Sequence, residues 1–432
     1  MSIYNFFSHI PGISYVKRKI NSKFENLENE IVVLSRQAIE NRIQLKILRK
    51  ERINVLFLCH RPAVWGSMKT IYENLCQDER FRVTIVTIPQ IDAEGRCEKK
   101  VGNDFFQGEH IIQGYDYEKK KFLDLKKLEP DYFFYQQPYN TNYIPEYRSN
   151  IISKYAKVCY LAYFTYMDNL TKENPYDECY PLDFLRDVSF YYAQYSSEAT
   201  YLQNRLRDNW VFKPRIEITG YPKYDNLERY REQDSTVWKH KEWEGHFRIV
   251  WTPRWTTNEN CCHFFLYKDR MLELCRKYPE IELVFRPHPQ SWIEWEHTGE
   301  FSKENAQEYK KQYKILDNAS IDETPEYLGT FYHSNCLITD TSSLIPEYLL
   351  TGNPVIYCYS EKSTNKFEKG KGFSNAMYWV ENWGELVEVL NKLKNGEDPL
   401  KKARQEIIKT YYIPEKSAGN RIADLIKEDA FA

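Results

Sequence analysis

The sequence has no run of eighteen apolar residues, so no segment of it is long enough to cross a bilayer as a helix. Its first twenty residues also lack the uninterrupted apolar core and small-residue cleavage site of a secretory leader. An excess of either charge is missing too: 60 Lys and Arg stand against 62 Asp and Glu, a formal net charge of −2. Without a stripe of cations interleaved with aromatics there is no field for nucleic acid, which is not expected as a partner. The ten cysteines form no CxxC pair and no Cys/His set with zinc-ligand spacing. Several lie inside apolar runs, such as Cys59 in VLFLC and Cys336 in CLITD, where a thiol behaves as a small hydrophobe. That usage fits a reducing cytoplasm. GxSxG, Walker-type GKS or GKT, HExxH and GxGxxG are all absent, and no DxD is evident. Neither a metal nor a cofactor is therefore expected. Fixed-period repeats and low-complexity tracts are lacking as well.

What is present begins with length. A chain of 432 residues exceeds one compact core and suits two medium domains plus an extension. Aromatic residues reach 16%, with 35 Tyr and 10 Trp, a composition suited to faces that pack on a sugar, a base or a partner. At the N-terminus Ile3, Tyr4, Phe6, Phe7 and Ile10 precede Lys17, Arg18 and Lys19. This pattern suits a segment lying on an anionic membrane surface, or else a docking tail. Next, Ile20, Phe24, Leu27, Ile31, Leu34, Ala38, Leu45 and Leu48 keep a 4-3 spacing broken only by Asn41. About four such heptads predict a coiled coil and homo-oligomerisation; a single helix packed along its own domain is the alternative.

From Ile53 onward strand-like and helix-like segments alternate. INVLFLCH and FRVTIVTIP predict strands, followed by YFFYQQ at 132–137, VCYLAYF at 158–164, SFYYAQY at 189–195 and IEITG at 216–220. A charged, structure-poor stretch at 226–246 separates these from a second series. That series opens with FRIVWTPRW and continues through IELVFRPHP and NCLITDTSSLIPEYLLTGNPVIYC, with helices expected at 380–395 and 402–427. Alternation of this kind indicates parallel βαβ units covered on both faces. The expected fold is α/β and GT-B-like, with two Rossmann-like domains facing a cleft. Residues 1–52 form the N-terminal segment and coiled-coil helix, 53–230 the acceptor-side domain, 231–400 the nucleotide-donor domain and 401–432 the closing helix. In open α/β sheets, ligands sit at the carboxyl ends of the strands, which directs attention to the segments found there.

One such segment is Leu337–Ser343, LITDTSS. Three hydroxyl residues, Thr341, Ser342 and Ser343, fall at a strand-to-helix turn that can hold a phosphate; ordinary capping by Asp340 or Thr341 is the plainer reading. In Phe285–Pro289, FRPHP, the prolines stiffen the loop, Arg286 can fork onto a phosphate, and His288 can give a proton or hydrogen bond to a departing phosphate. In WTPRWTT, Arg254 can add positive charge, while Trp251 or Trp255 can stack on a base or serve as core. In the first half, CHRPAVW follows the first strand, making His60 a candidate base and Arg61 and Trp65 candidate acceptor contacts. Tyr163 and Thr165 sit at another strand end as further acceptor candidates, and GYPKYD at 220–225 reads as linker geometry.

Together these residues resemble the CDP-glycerol glycerophosphotransferase family, the teichoic-acid-polymerase-like enzymes of GT-B fold, over roughly residues 53–427. The resemblance is carried by Phe285–Pro289, by Thr339–Ser343 with Glu347 and Gly352–Pro354, by GYPKYD, by WTPRW and by Glu415–Ala418 with Arg421 and Ile422. It implies that His288 assists the leaving phosphate and that Arg286, Ser342 and Ser343 hold the donor diphosphate; Arg254, Thr341, Glu347 and Trp251 are the further donor-site candidates. The family's polymerases carry His-Gly-Thr in the first domain; here the strand end reads Tyr163-Phe164-Thr165, leaving His60 and Asp168 as candidates for the base. The expected activity moves a polyol phosphate from a CDP-activated donor to a surface-glycan or lipid-linked glycan hydroxyl, releasing CMP. Two alternatives stay open: a GT-B glycosyltransferase using a nucleotide sugar, and a non-catalytic scaffold. The expected location is the cytoplasm, at the inner face of the membrane.

Overall fold

Ile53–Cys59 is buried along nearly its whole length, as a strand must be when helices cover both sheet faces. It is β1 of a wholly parallel seven-stranded sheet, in a computed structural model that describes residues 11–89, 105–106, 110–167, 177–207, 213–225, 227, 229–232, 237–241, 245–324, 326–411 and 416–432. The other members are β2 (Phe81–Thr87), β3 (Ile111–Gln113), β6 (Tyr132–Tyr135), β7 (Lys157–Tyr160), β8 (Val188–Ala193) and β9 (Arg215–Ile218), in the order β3-β2-β1-β6-β7-β8-β9. A small antiparallel hairpin, β4 (Tyr115–Asp116) and β5 (Lys121–Phe122), stands beside it. A second, six-stranded parallel sheet contains β10 (Phe247–Thr252), β11 (Ile281–Phe285), β12 (Ala319–Ile321), β13 (Cys336–Thr339), β14 (Val355–Cys358) and β15 (Met377–Val380), in the order β12-β11-β10-β13-β14-β15. Two parallel sheets, each flanked by helices, make the GT-B-type α/β architecture.

Several elements differ from the sequence reading. YFFYQQ stops as a strand at Tyr135 because the Gln136 side chain turns to the β1 loop, accepting from the His60 and Arg61 amides at 2.8 and 2.9 Å. VCYLAYF likewise leaves the sheet after Tyr160, where β6 no longer offers a ladder partner. The segment before β10 is anchored: Glu282, buried in β11, accepts from the backbone N–H groups of Lys239 and His240 and pairs with buried Arg248 at 3.1 Å. The closing segment is two helices, Lys401–Tyr411 and Ala418–Phe431, with Pro414 between them in the sequence. The last helix crosses back to the first sheet. Asp429 receives the Tyr132 hydroxyl at 2.5 Å and Lys157 at 2.6 Å, and Phe431 packs edge-on to Phe81. Gly419 is required at the crossing, since a Cβ there would meet Thr70 Oγ1 at 2.3 Å.

The 4-3 pattern does form one helix, Pro11–Leu48, and proline at its first position is compatible with helix entry. The stripe it lays on the first sheet is Ile39, Ile43 and Lys46, not the 4-3 seam. Arg42 and Lys46 both pair with fully buried Asp131, at 2.9 and 2.7 Å, and Asp131 also accepts from the Asn54 amide. The helix therefore packs along its own domain. Residues Ile3 to Ile10, read as a membrane-surface segment, lie outside the described residues, as do Asp168 and Cys97. No helix of the described residues is long and apolar enough to cross a membrane, and the nine described cysteines are free.

Candidate active site

The loops after β10, β11 and β13 all emerge at one edge of the second sheet, because those three strands are parallel neighbours. WTPRW, RPHP and DTSS are thereby brought side by side. Asp340, buried at the end of β13, is the knot that holds two of them. One of its oxygens accepts from the Arg254 and His263 amides at 2.8 and 3.0 Å, and the other meets His263 Nδ1 at 2.6 Å. Burial disfavours the His263 cation, but the hydrogen bond and charge of Asp340 more than offset it, so His263 titrates above its usual range. Asp340 is therefore not a helix cap; it shapes the 253–263 loop.

His288 lies exposed above this edge, its ring stacked on Trp255 at 5.9 Å between centroids. Its Nδ1 accepts from the Gln290 amide at 3.2 Å, which places the proton of the neutral ring on Nε2. Crowding by protein pulls its pKa down to about 4, assisted by the Arg254 and Arg286 guanidiniums. Both cations are held by counter-charges. Arg254 is forked by Glu259 at 2.8 and 2.9 Å. Arg286 lies 2.8 Å from Asp322 without the alignment of a hydrogen bond, donates to the Thr324 carbonyl at 2.9 Å, and sits 4.6 Å above the Tyr327 ring. Ser342 is half-buried and Ser343 exposed beside them. Two guanidiniums, a neutral imidazole N–H and two accessible hydroxyls form a set suited to a diphosphate.

Three expected donor residues are placed differently. Trp251 is a strand residue, 1% exposed and packed against Phe264 and Phe285, so it cannot stack on a base; Trp255, four residues on, is the half-exposed one. The Thr341 hydroxyl is buried against the Asn365 carbonyl and the Tyr357 hydroxyl. Glu347 is buried, with one oxygen on Lys223 at 2.8 Å and the other receiving the Tyr327 hydroxyl.

On the opposite side, His60 is 3% exposed. Its Nε2 faces Gln137 Oε1 at 3.0 Å, and burial pushes its pKa down to about 4. It cannot reach an acceptor hydroxyl and is corrected to a core residue. Thr165 is fully buried on the Tyr224 hydroxyl at 2.7 Å, which removes it from any acceptor surface. Trp65 is largely buried among Phe57, Tyr72 and Phe106, though it contributes to the wall of a cavity of about 370 Å³ between the two halves. Lys69, Lys223 and Tyr327 also line that cavity. Arg61 is exposed, and Tyr163 is half-buried with its hydroxyl 3.3 Å from that of Tyr139.

Sequence reasoning passed over Lys223, Tyr327, Asp322, Glu259 and His263. Lys223 lay in view inside GYPKYD, where its role was masked by the plausible linker geometry of Gly220 and Pro222. The rest of that element is structural: Asp225 accepts from Thr70 and from the Ala418 and Gly419 amides, fastening the closing helix.

Residues 167–428 match the family model described as CDP-glycerol:poly(glycerophosphate) glycerophosphotransferase. The minor teichoic acid biosynthesis protein GgaB of Bacillus subtilis (strain 168) is 25% identical over 246 residues, 52% of this chain and 25% of that protein. The chain thus spans about a quarter of the length of this curated relative. The wall teichoic acid polymerase TagF superposes with a TM-score of 0.56 at 14% identity, covering 95% of this chain and 98% of that one. The S. aureus MnaA–UDP structure superposes with a TM-score of 0.57 at 14% identity, over 87% of this chain and 96% of that one. At such identity these two likenesses establish the fold.

Proposed function

The chain belongs to the CDP-glycerol:poly(glycerophosphate) glycerophosphotransferase family, and from that premise we propose that it transfers a polyol phosphate from a CDP-activated donor to a hydroxyl of a surface glycan or lipid-linked glycan. The observation that carries this reading is the gathering of Arg254, Arg286 and His288 at adjacent strand ends of the second sheet, close enough for both guanidinium charges to act on the imidazole. In the reaction, the acceptor oxygen bonds to the β-phosphorus and the bridging P–O bond to the α-phosphate breaks. CMP then leaves with that bond's electron pair, and the acceptor hydroxyl gives up its proton. Arg254 and Arg286 neutralise charge on the diphosphate, Ser342 and Ser343 orient it, and His288 Nε2–H hydrogen-bonds the departing phosphate. Positioning and charge neutralisation dominate such a transfer. With His60 buried, Asp168 is the retained candidate for the acceptor proton. Trp255 stacks on the nucleobase beside His288, and Arg61 and Tyr163 meet the acceptor across the cleft. No metal or cofactor has a role in this proposal.

The test is incubation of the purified chain with CDP-glycerol and a glycan acceptor, following CMP release and the linkage in the product. CMP release with a new phosphodiester, lost in Arg286→Ala, is the expected result. Turnover of a UDP- or GDP-sugar with no phosphodiester would replace this reading by glycosyl transfer. Absence of every nucleotide-dependent signal, including the thermal shift produced by a stabilisation of about 2.7 kcal/mol at 100-fold the Kd, would leave a scaffold. The protein is further proposed to work at the cytoplasmic face of the membrane, on the strength of Ile3 to Ile10 followed by Lys17, Arg18 and Lys19. Flotation with phosphatidylglycerol vesicles, absent when those residues are removed, tests that location.

A further inference from the structure

The N-terminal helix Pro11–Leu48 carries two apolar stripes on opposite sides, and its own domain uses only one. Ile39 and Ile43 are buried at 3% and 0% exposure, with Arg42 and Lys46 fixing that side to Asp131. Leu27, Ile31, Leu34, Leu45 and Leu48 are exposed at 54, 48, 65, 49 and 79%. Ala38 and Asn41 are exposed in the same row. These seven positions are the described part of the sequence's 4-3 seam, and they account for five of the twelve exposed large hydrophobic residues described. A helix needs one apolar stripe to dock on a globular core; a second stripe at heptad spacing needs another helix.

We infer that the occupant of this seam is the same helix of a second copy, aligned in parallel. In heptad terms Ile31, Ala38 and Leu45 are a positions, and Leu27, Leu34, Asn41 and Leu48 are d positions. In parallel register Asn41 meets the second copy's Asn41, so the one polar residue of the seam is satisfied by its own amide rather than stranded against leucine. The flanking charges agree. By sequence position Lys23 falls at g and Glu28 at the following e, opposite charges in parallel register, and the g–e pairs Glu30–Ser35 and Gln37–Arg42 bring no like charges together. The domain-facing side points away from the seam, so each copy keeps its Arg42–Asp131 and Lys46–Asp131 pairs. The two catalytic halves then stand on opposite sides of a shared two-helix stem.

The experiment is sedimentation velocity on the full chain, comparing wild type with Ile31→Glu/Leu34→Glu. Wild type should sediment at twice the chain mass. The double variant should fall to the single-chain mass with unchanged tryptophan fluorescence, since neither residue touches the core. Lys23→Glu should weaken association by several fold, and adding Glu28→Lys should restore it. On oxidation, Leu34→Cys should yield a covalent dimer that wild type does not. Wild type sedimenting as a single chain at every concentration would overturn the inference, as would a dimer that survives Ile31→Glu/Leu34→Glu. Single-chain sedimentation combined with binding to phosphatidylglycerol vesicles that needs Ile31 and Leu34 would also overturn it, assigning the seam to lipid. Association that Lys23→Glu leaves unchanged and Leu34→Cys fails to lock would overturn the parallel register.

Discussion

Lys223 Nζ lies 2.8 Å from Glu347 Oε1, and the pair joins the connection after β9 to the helix after β13. Tyr327 closes the arrangement by donating to the other Glu347 oxygen while its ring lies under Arg286. Three separated motifs, GYPKYD, RPHP and the helix following DTSS, are thereby connected at the rim of the cavity between the halves. Burial alone would lower the Lys223 pKa, but Glu347 more than offsets it, so the value is raised. Its stabilising contribution is therefore complete below the unfolded value of about 10.4 and is lost only as pH rises through the folded one.

Removing one partner leaves the other charge buried and alone. Glu347→Leu should cost about 3–5 kcal/mol of stability, whereas Lys223→Met/Glu347→Leu should recover most of it. Urea denaturation of the four members of this double-mutant cycle measures the coupling. A coupling near zero would show that the pair does not hold the halves together.

The two tryptophans of WTPRW should separate fold from binding. Trp251→Ala removes a fully buried ring from the β10 core and should destabilise by about 3–5 kcal/mol. Trp255→Ala removes a half-exposed ring beside His288 and should leave stability within about 0.5 kcal/mol while weakening nucleotide binding by about 1–3 kcal/mol, the range for base–aromatic stacking. Denaturation and isothermal titration with CMP distinguish them. Equal loss of CMP affinity in both variants, at equal stability, would contradict this placement.

The sequence made much of this arrangement legible. Buried strands such as Ile53–Cys59 and Ile281–Phe285 are nearly continuous apolar runs, and helices alternate with them, so the parallel sheets follow. RPHP and DTSS were readable because a strand end fixes where a loop begins. Which face a side chain takes after that point was not readable. Trp251 and Trp255 differ only in lying before and after the end of β10. Thr341 and Ser342 are neighbours, yet one is directed into the Tyr357–Asn365 contact while the other stays half-buried, its Oγ accepting from the Leu344 amide. Counter-charges were equally hidden, because Asp322 meets Arg286 through tertiary placement and Glu259 meets Arg254 through the fold of an irregular loop with no helical or strand spacing. The 4-3 pattern lies on one helix, as its spacing required, but the Ile39–Ile43 stripe that docks that helix ran beneath it in the same sequence.

His60 should govern part of the acid sensitivity of the fold. Its folded pKa is depressed to about 4, against about 6.5 unfolded, because burial disfavours the cation. A depressed histidine gives its full stability above the unfolded value and loses it as pH falls toward the folded one. Between about pH 6.5 and 4 the loss should be on the order of 3 kcal/mol. His60→Gln keeps a polar partner for Gln137 and has nothing to titrate, so its stability should fall less over that window. Guanidinium unfolding at several pH values gives both curves; parallel curves would remove His60 from the account.

His288 makes the sharper kinetic prediction. In the free protein it is neutral above about pH 5, and Nε2 carries its proton in both protonation states because Nδ1 faces the Gln290 amide. A departing phosphate monoester has a second pKa near about 6, so at neutral pH a hydrogen bond is sufficient and no complete proton transfer is needed. The kcat/KM for CMP release should thus be insensitive to His288 ionisation from about pH 5 to 8. If His288 had to deliver a proton, kcat/KM would fall about tenfold for each pH unit above the folded value. His288→Asn, which keeps an N–H donor, should retain more activity than His288→Ala, whose loss should be about 10²–10⁴-fold. Arg254→Ala removes one of the two cations that depress the imidazole, so its pKa, followed by NMR, should move upward from about 4.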